Sequence, residues 1–192
     1  VNISTIASLA ILKRVAKLAA QYNTRLIATT SSYLLYPMME GIIREAYVEQ
    51  GKGDMFSSDN VIFIQGQFPY AVGSVGIMHR ERVAAAFFFG SFYAEALILA
   101  EGGNSIGAIQ VAGTVSTLQV PFFIVACDYT VIGEEYFAAS AYLSKDPTMT
   151  GSLAGQDIGK FVILSLILLG TVFATIQAFA HSDYSWFLEL IK

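Results

Sequence analysis

A chain of 192 residues has room for one domain of ordinary size plus an anchor. A formal net charge of −4 leaves no basic footprint, so nucleic acid is not an expected partner. One cysteine, Cys127, excludes an intrachain disulfide framework and a cysteine-only zinc site, and the two histidines, His79 and His181, stand outside any metal-ligand spacing. Neither a metal nor a cofactor is expected. A hydrophobic content of 55% and a mean hydropathy of +0.57 are high for a soluble domain and low for a protein made only of membrane helices. One strong span joined to an apolar-rich domain fits both values.

The chain starts at Val1 without a methionine, and its first residues lack the order of a signal peptide. The expectation is a removed initiator or a missing upstream segment. Residues 1–22 read as an amphipathic helix, capped by Ser4 or Thr5, with Lys13, Arg14 and Lys17 on one side. That basic side suits either a solvated domain face or the surface of an anionic membrane. Residues 23–144 read as an α/β domain. Arg25 to Thr30 has strand length and ends in Thr29-Thr30-Ser31-Ser32. A helix starts near Pro37 and runs to about Gln50, and Gly51 to Asn60 has turn chemistry. Val61 to Gln65 is a second strand, followed by Gly66-Gln67 and a helix from Pro69 to about Glu81. Ala84 to Phe89 is a third, followed by Gly90-Ser91 and a helix from Phe92 to Glu101 that Gly102-Gly103 should end. Ile106 to Val111 is expected as a fourth strand, ending in Ala112-Gly113-Thr114. Pro121 to Ala126 is expected as a fifth, ending in Cys127-Asp128-Tyr129-Thr130, before a helix from Glu134 to Ser144.

Short apolar runs alternating with helix-length segments imply a mostly parallel sheet with helical crossovers, Rossmann-like in plan. The runs are apolar throughout, as strands covered on both faces should be.

Residues 145–160 read as a polar linker and 161–180 as a transmembrane helix, before a short tail, 181–192. Phe161 to Ala180 is twenty residues without a charge, and at 1.5 Å per residue it crosses about 30 Å, the thickness of a bilayer's hydrocarbon core. Tyr184, Trp186 and Phe187 stand where an interfacial aromatic belt would. The expectation is a single-pass protein of the cell membrane. Lys145 and Lys160 before the span outweigh Lys192 after it, which favours a cytoplasmic domain. A second parse adds spans at 83–100 and 106–126. Against it stand Gly90-Ser91 and Pro121, which break the runs, and Glu95, which would cost about 2.5–3.5 kcal/mol at mid-bilayer.

Three segments carry a resemblance: GQFPYAVGSVGIMHRERVAAAFFFG, PFFIVACDYTVIGEEYFAASAYL and GSLAGQDIGK leading into the apolar run. From about Ala7 to Ala180 the chain resembles a family of bacterial membrane-associated proteins of unknown function. The resemblance implies an α/β domain beside a membrane helix, often with further domains upstream, and carries no functional residues across.

In an open parallel sheet, ligands bind outside the carboxyl ends of the strands. The expected ends give a ligand-binding rim of Thr29, Thr30, Ser31, Gln65, Gly66, Gln67, Gly90, Ser91, Gly113, Thr114, Asp128, Tyr129 and Thr130. Connecting loops are also small and polar, and no nucleotide signature accompanies the set: GxxxxGK[ST] is absent, and Gly73-Ser74-Val75-Gly76 lacks GxGxxG spacing. Glu95, Asp128, Glu134 and Glu135 would hold a cation if they gathered, but helix capping is the commoner use of such acids. Cys127 has too few candidate bases to stand as a nucleophile. No catalytic constellation appears, so an enzyme is the weakest expectation. Surplus apolar residues such as Tyr33, Leu34, Leu35, Tyr36, Met38 and Met39 point to an interface. The leading expectation is a structural or assembly subunit, a homo-oligomer or part of a membrane complex, with the bilayer as the other partner. The alternative is a membrane-tethered small-ligand-binding or sensing module.

Overall fold

The computed structural model describes residues 2–181. The chain divides into two compact units, Val1–Pro147 and Thr148–Lys192.

The first unit alternates helices and strands: α1 (Ile3–Gln21), β1 (Ala28–Thr30), α2 (Leu35–Glu49), two single 3-10 turns, β2 (Val61–Phe63), α3 (Gln67–Glu81), β3 (Ala85–Phe89), α4 (Glu95–Ser105), β4 (Ile109–Thr114), α5 (Val120–Ala126), β5 (Tyr129–Ile132) and α6 (Glu135–Ser144). All pairings are parallel. β1 pairs with β2 in one sheet, and β3, β4 and β5 form a second in that order. Every strand-to-strand connection therefore carries a helix, the arrangement that parallel pairing demands.

Alternation along the strands divides the core. Ala86 and Phe88 of β3 and Ala112 of β4 pack against Ala71 of α3, Ala96, Leu99 and Ala100 of α4 and Phe123 of α5. Phe89, the next residue along, faces the opposite way, onto Ala7 and Ile11 of α1 and Tyr136 of α6. The three-stranded sheet is thus covered on both faces, as its continuous apolar runs require. A third cluster joins α1 and α2 to Ala28 and Val61 of the two-stranded sheet.

Two of the three basic residues of α1 face acids of α2, and Arg14 is exposed. Lys13 Nζ lies 2.9 Å from Glu45 and 3.1 Å from Glu49, and Lys17 Nζ lies 2.5 Å from Glu49. The helix is part of the α/β unit, held against α2 and α6.

The fifth strand lies later than the sequence suggests. Pro121 to Ala126 is helical, with Pro121 in the first turn of α5, where a missing N–H costs nothing. A six-residue apolar run fits a buried strand or a short helix equally well. The strand is Tyr129–Ile132, whose aromatic and β-branched residues favour the pleated state. Gly102-Gly103 does not end α4 either. Both glycines are buried inside it, because a Cβ on Gly102 would stand 2.5 Å from a Val75 methyl and one on Gly103 would stand 2.2 Å from Gln110 Oε1. They are sites of close approach.

The described residues of the second unit belong to one helix, α7 (Pro147–His181). The segment read as a linker, from Pro147 onward, is thus helical. Among the described residues α7 is the one helix long and apolar enough to cross a membrane: 32 residues, Pro147–Ala178, with a mean hydropathy of 2.2 over its apolar window, none of it buried. The two further spans of the second parse do not exist, since 83–100 and 106–126 fold into β3, α4, β4 and α5. The aromatic residues 184, 186 and 187 lie outside the described residues.

Candidate functional site

Four of the expected strand ends are carboxyl ends. Thr29 and Thr30 close β1, with exposed Ser31 following. Gln65 and Gly66 lie between β2 and α3. Gly90 and Ser91 follow β3, and Gly113 and Thr114 close β4. The fifth is not. Asp128 precedes β5, and Tyr129 and Thr130 begin it, so all three stand at the amino end, across the sheet from the rim. The shift follows directly from α5 taking the place of the expected strand.

Asp128 has a structural task at that end. Its Oδ2 accepts a 2.7 Å hydrogen bond from the Gln110 N–H, while its own N–H donates to the Gln110 carbonyl at 3.1 Å. Gln110 Nε2 donates in turn to the Ala126 carbonyl at 2.9 Å. These bonds start the β4–β5 pairing. Beside it, burial first and the Asp128 charge second push the Cys127 thiol up to about 11, away from the thiolate a nucleophile needs.

Thr30 and Thr114 are buried and do the same job on different strands. Thr30 Oγ1 accepts from the Ser32 N–H at 3.2 Å, and Thr114 Oγ1 from the Ser116 N–H at 3.1 Å. Each hydroxyl turns its chain out of the sheet. Gly113 packs too tightly to offer a surface, since a Cβ there would stand 2.6 Å from Phe89 and 2.9 Å from Tyr136. Gly66 and Gly90 hold positive φ, 92° and 134°, where glycine carries no steric penalty.

What the rim does bring together is a polar string on α3. Ser74 Oγ donates to Thr29 Oγ1 at 3.3 Å, and Thr29 Oγ1 donates to the Tyr70 hydroxyl at 3.2 Å. One turn earlier, Gln67 Nε2 donates to Glu95 Oε2 at 2.5 Å. Glu95 opens α4 and is only 7% exposed, so its charge rests on that amide and on the helix N-terminus. Burial, chiefly, raises the Tyr70 pKa; Glu95 adds to the rise, and the Thr29 and Ser74 hydrogen bonds oppose it. The string runs from the two-stranded sheet to the helix that follows β3. Tyr70 and Ser74 escaped the sequence reading, although their spacing of four places both on one face of α3.

The four acids considered for a cation are dispersed. Glu95 stands after β3, Asp128 at the amino end of β5, and Glu134 and Glu135 at the start of α6. Among the described residues no three of His, Cys, Asp and Glu group as a metal site.

A second concavity lies on the two-stranded sheet, an open groove of about 730 Å³. Its walls are Ile27, Tyr33, Tyr36, Ile62 and Phe63, and Arg25, Asp59 and Arg80 line it as well. Arg25 and Asp59 precede their strands and Arg80 sits in the last turn of α3, so the charged groups share one end. Glu81 ties the arginines together: Arg25 Nη1 lies 2.6 Å from one carboxylate oxygen and Arg80 Nε 3.2 Å from the other.

A family model described as "Domain of unknown function (DUF6754)" matches residues 1–185. No curated protein matches the chain, and no solved structure does.

Proposed function

The chain belongs to the DUF6754 family, whose description assigns no activity, and we propose that it is a membrane-anchored structural subunit whose α/β unit assembles with further copies of itself. In this reading α7 holds the protein in the cell membrane as a single pass, and the bilayer is its second partner. The lysine balance around the span favours a cytoplasmic α/β unit.

The observation that carries the reading is the outer edge of the three-stranded sheet. β5 is the terminal strand, so one row of its backbone N–H and C=O groups has no strand beside it among the described residues. The strand is uncharged, with Tyr129 66% exposed, and Ile124 and Val125 of the preceding helix are exposed beside it, Val125 by 87%. Soluble edges of this kind are normally blunted by charge, proline or a bulge. Asp128, the nearest carboxylate, is turned inward to Gln110 and does not guard the strand. Apolar area left open beside an unguarded edge marks an interface. A second copy satisfies the edge by pairing β5 with β5 in antiparallel register about a two-fold axis.

Sedimentation of the full chain in detergent micelles tests this. The wild-type protein should run as a dimer or larger, and the Val125→Asp, Tyr129→Lys double variant as a folded monomer by circular dichroism. A wild-type monomer at micromolar concentration overturns the proposal. For orientation, a cysteine placed near the C-terminus should react with an impermeant maleimide from outside intact cells; protection there reverses the assignment.

A second reading, a tethered ligand-binding or sensing module, draws support from the buried Glu95 carboxylate with its Gln67 amide and from the Thr29–Tyr70–Ser74 string at the rim. In that case a thermal-shift screen with metals, nucleotides and small acids should give a shift that Glu95→Gln abolishes.

A further inference from the structure

We propose that the groove over the two-stranded sheet binds an α-amino acid with a large apolar side chain, as its zwitterion. The groove's volume, about 730 Å³, falls in the range of ordinary small-molecule sites. Its walls are aromatic and aliphatic, and its charges are confined to one end. That end carries two guanidiniums, Arg25 and Arg80, against two carboxylates, Asp59 and Glu81.

Glu81 is taken up by the two arginines, which leaves one net positive charge and the Asp59 carboxylate at this end, and this selects among ligand classes. A phosphate dianion would meet as much negative charge as positive. A simple cation would face two arginines. A neutral apolar molecule would cover charged groups without pairing them, which costs free energy at a partly dehydrated surface. A zwitterion matches both signs at once. Glu81 occupies one nitrogen of each guanidinium, and each fork carries further N–H groups that suit a carboxylate. Asp59 on the same end is an acceptor for the ammonium. The side chain then lies along Ile62, Phe63 and Tyr33, where aromatic and aliphatic contact supplies the affinity. The groove residues all belong to the unit Val1–Pro147. They are separate from β5, so the proposal stands or falls independently of self-assembly.

Isothermal titration of the full chain in detergent micelles, with three probes, decides it. L-phenylalanine presents both charges, L-phenylalaninamide lacks the carboxylate and 3-phenylpropionate lacks the ammonium. The expected result is binding of L-phenylalanine, with each analogue at least about tenfold weaker. Asp59→Asn should abolish the preference for L-phenylalanine over 3-phenylpropionate. Arg80→Gln, at an exposed side chain, should weaken both acids and leave L-phenylalaninamide unchanged. Equal affinity for the three probes, or no heat with L-phenylalanine at millimolar concentration, overturns the proposal. Sedimentation run alongside separates the two hypotheses, because loss of the oligomer alone leaves the titration intact.

Discussion

Tyr136 permits a prediction whose sign and size both come from the structure. Its ring is fully buried between Phe89 and Phe137, and its hydroxyl donates to the Ser4 carbonyl at 3.1 Å and lies 2.5 Å from Ser8 Oγ. Burial pushes the phenol from 10 up to about 12, and the Ser8 contact opposes the rise only in part. The neutral form is therefore favoured in the native state. Between pH 10 and 12 the unfolded chain releases this proton and the native chain keeps it, so stability falls as pH rises through that window. At 1.36 kcal/mol per unit, a two-unit shift removes about 3 kcal/mol once pH exceeds 12. Tyr136→Phe keeps the ring and deletes the titrating group. Because Ser8 Oγ, 3.0 Å from the Ser4 carbonyl, is then free to donate its one proton there, no buried acceptor is orphaned, and the cost at neutral pH should be about 1 kcal/mol. The variant should thus be the less stable protein at pH 8, equal the wild type near pH 11 and exceed it beyond. Urea unfolding of the full chain in micelles, followed by circular dichroism at each pH, measures the gap. A gap that stays constant from pH 8 to 11.5 would refute the argument that burial sets this group's behaviour.

Packing gives two further tests by thermal or urea unfolding. Phe123 is fully buried, stacked on Phe88 at 6.1 Å and edge-on to Phe92 at 5.5 Å, so Phe123→Ala should cost about 3–5 kcal/mol. Gly102→Ala should cost about 1–3 kcal/mol despite better helix propensity, because Val75 is β-branched on a helix and cannot swing away. Gly41→Ala, with nothing within 4 Å of its added methyl, should instead stabilise α2 by up to about 1 kcal/mol.

The sequence announced β2 and β3 clearly because VIFIQ and AAAFFF are short apolar runs bounded by turn residues, with helix-length segments beyond. The same rule misplaced β5. PFFIVA is as apolar as AAAFFF, and nothing local shows that its proline serves a helix start. The cue lay in the following residues, where Tyr129, Thr130, Val131 and Ile132 form an unbroken run of strand-favouring residues. That single displacement moved Asp128, Tyr129 and Thr130 from the rim to the opposite end and turned a candidate ligand contact into a strand-pairing device. Gly102-Gly103 misled for a related reason. A glycine pair signals either a helix stop or a close approach, and only the positions of Val75 and Gln110, both remote in sequence, distinguish the two. The groove was illegible because Arg25, Asp59 and Arg80 come from three separate segments and are joined only by the register of β1 with β2 and by Glu81.

Residues 83–100 and 161–180 are both apolar enough by composition to suggest a span, and their surroundings separate them. Residues 83–100 hold one charge in eighteen, few enough for a span by composition. Gly90, at a φ of 134°, breaks that stretch after five strand residues. The backbone of β3 is satisfied by β4, and its Gly90 N–H donates to the Gly113 carbonyl at 3.1 Å. Glu95, costly in lipid, opens α4 with an amide partner from α3. The β3 backbone and the Glu95 carboxylate thus find partners in other elements of the α/β unit, which a lone helix in lipid cannot offer. In α7 the side-chain hydrogen bonds of Ser165, Thr171 and Thr175 close onto carbonyls three or four residues earlier in the same helix. These three hydroxyls need no partner outside the helix, and the apolar side chains from Phe161 to Ile176 are exposed. Self-sufficient polarity with unburied apolar surface is the combination that favours lipid as the solvent. In β3 and α4, by contrast, Ala86, Phe88, Ala96, Leu99 and Ala100 are buried against other elements of the α/β unit.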